Sequence, residues 1–171
     1  MRLLHALIFS VLVLTACSQD KENTFQYVTD SVSLLVADEY AGLTRQLRDL
    51  RDSTGSQMAI LIVDSLYGET IEEYSLRTAN TWGLGRAEQD DGILITVARG
   101  ERSVRIEVGL GLELIIKDEI AARILREDVI PQFQQEKFYD GLRAAVVRIE
   151  RLIRDNPQLV GVHPPGYSGD E

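Results

Sequence analysis

The chain has 171 residues, 44% of them apolar and 26% charged. That fits one globular domain with a real core. A net charge of −9 argues against nucleic-acid binding, whose affinity comes from Lys and Arg. A single Cys excludes an internal disulfide framework. The two His, His5 and His163, lie near the chain ends and leave the body between them without an imidazole for catalysis or zinc.

Residues 1–17 read MRLLHALIFSVLVLTAC. A positive start, an apolar run and small residues make a secretory signal, too short to span a bilayer. Leu14-Thr15-Ala16-Cys17 resembles the lipobox of bacterial lipoproteins. That resemblance implies cleavage after residue 16 and acylation of Cys17, so that the membrane is held through lipid. Ser18 after the Cys resembles an outer-membrane signal, which implies a domain facing the periplasm. Residues 17–26 then form the lipidated Cys and a polar tether. Its nine residues 18–26 reach at most about 30 Å.

The domain is expected over 27–154. Tyr40, Leu43, Leu47 and Leu50 fall at helical spacing in segment 37–53. Met58 to Val63 is a continuous apolar run suited to a strand covered on both faces. Thr70 to Trp82 reads as a second helix, with Ile71, Tyr74, Thr78 and Trp82 on one side and Gly83 as C-cap. Ile93–Ala98 and Ser103–Val108 read as an antiparallel hairpin. Its turn, Arg99-Gly100-Glu101-Arg102, is expected to be exposed and to accept insertions at little cost. A third helix is expected from Asp118 to Ile130, ended by Pro131, and a fourth from Phe138 to Arg154. Residues 155–171 hold three of the four Pro, carry no periodicity and read as a flexible tail. The plan is α/β: a three-layer α/β/α sandwich with a small mixed sheet, in the order α-β-α-β-β-α-α.

The absences narrow the chemistry. A Ser-His-Asp triad and a His-Glu-x-x-His zinc site both need a mid-chain His. There is no nucleophile elbow and no Walker A loop. Gly109-Leu110-Gly111 lacks the third Gly of a dinucleotide fingerprint, which would fall at Leu114. Carboxylates remain. Asp90 and Asp91 are adjacent and repel, so a bound cation would relieve them and an Asn at 91 would ease the chain. The hairpin brings Gly109–Glu113 beside them, and Trp82–Gly85 reaches the same end of the sheet. Such a set of oxygens suits calcium.

Tyr27–Asp30, Trp82–Gly85, Asp90–Leu94 and Arg105–Glu113, in that order, resemble the TPM domain over about Tyr27 to Ile153. That family includes bacterial secreted or membrane-anchored proteins and thylakoid-lumen proteins of photosystem II repair. The resemblance implies an α/β/α sandwich. It offers Asp30, Asp90, Asp91 and Glu113 as metal-ligating candidates, with calcium as the ion and no organic cofactor. Two functions follow: a lipid-anchored, calcium-binding module with a protein partner, or a metal-dependent acid phosphatase. Arg86 and Lys117 are the cations available to clamp a phosphate at that edge.

Overall fold

The computed structural model describes residues 25–166. The signal, the start of the tether with Cys17, and residues 167–171 lie outside the described residues. Four strands, β1 (Val28–Asp30), β2 (Gln57–Val63), β3 (Gly92–Ala98) and β4 (Ser103–Val108), form one sheet in that spatial order. The first three are parallel, and β4 returns antiparallel to β3.

Helix α1 (Ala37–Thr54) packs Leu43, Leu47 and Leu50 on the sheet face that carries Met58, Ile60, Ile93 and Ile95. Helix α2 (Ile71–Trp82) covers the other face, where Ala59, Leu61 and Leu94 point. This is the three-layer α/β/α sandwich with a small mixed sheet that the sequence implies. β3 is buried along its whole length because both of its faces are covered and both of its edges are paired. Thr70 starts α2 with a capping box, its hydroxyl accepting from Glu73 N–H while the Glu73 carboxylate accepts from Thr70 N–H.

Four details depart from expectation. A strand, β1, precedes α1; at three residues it is too short to show a period. The third helix does not stop at Pro131. It runs as α3 (Asp118–Ile124), a π turn (Leu125–Val129) and α4 (Ile130–Phe133). The π turn shifts the bonding to Ile130 N–H→Leu125 C=O, and the wider turn makes room for the Pro ring that an α-helix would exclude. Trp82 is not on a buried stripe but 37% exposed, since only Ser75 and Thr78 of α2 are fully covered. The hairpin turn is exposed but not loose. Arg99 N–H donates to Val63 C=O, Gly100 N–H to Asp64 C=O, and Glu101 accepts from Ser65 and Leu66.

Helix α5 (Phe138–Asp155) buries Leu142, Ala145, Val146 and Ile149 under α1. The segment after it does not leave the domain at once. A 3-10 turn (Pro157–Leu159) leads back to the sheet, where Gly161 N–H donates to Gly111 C=O at 2.9 Å. Among the described residues no helix is long and apolar enough to cross a membrane.

Candidate functional site

The end of the sheet at which β3 begins is built from touching backbones. After α2 the chain turns at Gly83 and Gly85, both at positive φ, and Gly85 N–H donates to the Gln57 side chain. A Cβ on Gly92 would fall on the Leu84 carbonyl; one on Gly109 would strike Asp90 C=O, and one on Gly111 would strike Gln89 C=O. The Gly-Leu-Gly segment therefore lies flat on the 89–90 backbone. Gly109 N–H bonds Gly92 C=O and Gly111 N–H bonds Asp90 C=O. The glycines serve close packing here, not a phosphate.

The two adjacent aspartates point to different partners. Asp90 sits in the left-handed region, φ 44°, which Asp tolerates better than most residues. Its Oδ2 lies 2.9 Å from His163 Nε2. Asp91 is fully buried, and its carboxylate takes the Arg86 backbone N–H on Oδ1 and the Arg86 guanidinium on Oδ2. The cation that relieves the pair of acids is thus supplied from within the chain.

Glu113 ends a 3-10 turn (Leu110–Leu112) and lines a groove of about 430 Å³ together with Asp90, Glu107 and Asn80. Leu76, Leu84 and Leu110 make apolar walls. Glu107 is bound on its own strand by Arg105 Nε at 2.6 Å. Asp30 does not join this set. β1 is parallel to β2, so Asp30 stands beside Ile62, while Gln57 stands beside Gly92. Five residues of strand separate the two ends, about 16 Å. There Asp30 accepts from Val32 N–H and Leu35 N–H and shapes the entry to α1.

Of the four candidate acids, two line the groove, one lies beneath it bound to Arg86, and one is at the opposite end of the sheet. Carboxylate and amide oxygens are the donors that calcium prefers. Among the described residues, however, no three His, Cys, Asp or Glu side chains stand close enough to hold an ion. The donors line a groove rather than a closed cage. His163 is the residue that sequence reasoning missed: the absence of a mid-chain His does not keep an imidazole from this edge, because residues 157–163 fold back to it.

The family model described as TPM domain matches residues 28–152. Among solved structures, the N-terminal domain of a Porphyromonas gingivalis protein ("P.gingivalis") is similar, with a TM-score of 0.73 and 26% identity over 84% of this chain and 90% of that one. The BA42 protein of the psychrophile Bizionia argentinensis superposes with a TM-score of 0.63 at 16% identity, covering 74% of this chain and 86% of its own. The N-terminal domain of a Corynebacterium glutamicum protein gives 0.61 at 13%, over 86% and 89%. The last two likenesses speak to fold alone. No curated protein matches the chain.

Proposed function

Because this chain belongs to the TPM domain family, we propose that it is a lipid-anchored envelope module whose acidic groove takes calcium and, with it, a protein partner. The observation that carries this reading is the groove itself: Asp90, Glu107 and Glu113 together with Asn80, set among leucines. Asp90 and Glu113 are the proposed ligands, with backbone carbonyls and water completing the six to eight oxygens calcium needs. The leucine walls suit apolar side chains of a partner.

A phosphatase is the weaker reading. Asp90 and Glu113 in the groove repel a phosphate dianion, Glu107 being paired with Arg105, and Arg86, the clamp the sequence offers, is bound to Asp91. Phosphomonoester turnover that chelator abolishes would reverse this ranking.

The direct test is thermal unfolding of the whole protein in calcium against sodium at matched ionic strength. Extracellular calcium modules bind at roughly 0.1–1 mM. At ten times the dissociation constant the stabilisation is about 1.4 kcal/mol, a rise of a few degrees. Glu113→Gln and Asp90→Asn should each remove it. Equal shifts in calcium and sodium would sink the proposal.

A further inference from the structure

β4 is an edge strand with its outer side open. Gly109 N–H bonds Gly92 C=O, which sets the parity of the ladder: residues 103, 105 and 107 turn their backbone groups to β3, and Val104, Ile106 and Val108 turn theirs outward. No backbone or side-chain bond to those outward groups is made among the described residues. Proteins usually blunt such an edge with Pro, charged side chains, a bulge or brevity; the two charges on β4, Arg105 and Glu107, are paired with each other. β1, the other edge, has three residues. β4 has six, reads SVRIEV, and pairs with β3 in unbroken register.

The geometry points to a second copy of this chain as the occupant, added antiparallel with its two-fold axis at Ile106. That register sets Ile106 opposite Ile106 and Val104 opposite Val108 as hydrogen-bonded pairs, which exchange six backbone bonds. It sets Arg105 opposite Glu107 of the second copy in both non-hydrogen-bonded pairs, where side chains approach most closely. The neighbouring centres are excluded by charge: a two-fold at 105 opposes Arg to Arg, and one at 107 opposes Glu to Glu. Arg105 and Glu107 already share a face, bound to each other at 2.6 Å.

The surroundings agree with this occupant. Leu76 on α2, 51% exposed, borders the 107–108 end of the strand, and Ile130 on α4, 40% exposed, borders the 103–104 end. Both helical layers thus offer apolar surface beside the edge. Arg99 and Arg102, at the rim of a larger groove by Ser103 and Val104, make no ion pair among the described residues. In the antiparallel arrangement this basic end meets the end that holds Glu113 of the other copy. The eight-stranded sheet needs no calcium to form, although Glu107 and Leu76 also line the acidic groove, so its test reads association in calcium-free buffer.

The test is sedimentation of the full protein in detergent, from micromolar to near-millimolar concentration. The wild type should dimerise. R105E and E107R should each weaken dimerisation on the order of ten-fold, because two opposed pairs change to like charge together. Mixing the two variants should restore a heterodimer, since every pair is then opposite in sign; this result does not depend on contacts within one chain. Val104→Pro, which deletes an outward N–H but no bond to β3, should also give monomer, with unfolding curves confirming that each variant folds. A monomeric wild type, or variants that dimerise alone as well as mixed, overturns the proposal.

Discussion

Asp91 has no exposed surface, yet its carboxylate accepts three N–H groups, all from Arg86: the backbone at 2.8 Å, Nε at 2.9 Å and Nη2. Both guanidinium N–H groups converge on Oδ2 in charge-assisted bonds, while Oδ1 takes the backbone N–H.

Arg86→Ala should therefore cost about 3 kcal/mol, the low end for leaving a buried charge unpaired. Partial exposure of Arg86 and the retained backbone bond keep it from being higher. In a thermal melt that is a loss of roughly 10 °C. Asp91→Asn should also destabilise, because its amide N–H₂ would face the guanidinium donors. This reverses the sign expected from two repelling acids. A melting temperature unchanged or raised in Asp91→Asn would show that the pair contributes nothing.

Gly111→Ala should be the most damaging glycine substitution at this edge. Its Cβ falls on the Gln89 carbonyl, with the Gly161 backbone behind it. Overpacking against backbone costs about 3 kcal/mol, the upper end of its usual range. Gly68→Ala is the comparison: φ is +91° but no atom lies within 4 Å, so only left-handed strain of about 1 kcal/mol applies. Urea midpoints of the two variants should differ in that order, and equal values would contradict the close packing.

The Glu101 carboxyl is held below its ordinary 4.5, first by the Leu66 N–H it accepts; burial opposes this in part, and the Ser65 hydroxyl adds to the lowering. A depressed carboxyl contributes stability that is present above 4.5 and lost as pH falls through the lower folded value. Acidification should release the 64–66 loop from the hairpin turn. The Leu66 amide resonance should report a midpoint below 4.5 in the wild type and no transition in Glu101→Gln. A midpoint at or above 4.5 would mean the contact is not made in solution.

Cys17→Ala should leave the protein as unprocessed precursor or release it from membranes. Labelling with a palmitate analogue measures this directly, and a wild type that takes up no label would end the lipid-anchor reading.

The sheet, its hairpin and the two helices α1 and α2 were legible because each carries a strong period or an apolar run, as in Met58–Val63 and Ile93–Ala98. The chemistry of the acidic edge was less so. Asp90 and Asp91 look alike in sequence, but the left-handed turn at Asp90 directs the first towards the surface and the second into the protein. Arg86 is a lone cation in a loop until the fold places it over Asp91. His163 lies 73 residues from Asp90 in a stretch of Pro and Gly, and no local pattern announces a contact that depends on where α5 ends. Pro131 misled for the opposite reason: its local rule is sound for an α-helix, and a π turn sets it aside.

The parallel pairing of β1 with β2 brings the chain in at the sheet end where the acidic groove opens. A protein hung from lipid at Cys17 would be suspended by its groove end, within the roughly 30 Å the tether can reach. Pairing two copies through β4 turns their sheets head to tail, so the two suspension points leave from opposite ends. Both can meet one flat bilayer only when the strands run along its surface. The joined sheets would then lie like a raft over the headgroups, with an acidic mouth at each end opening sideways.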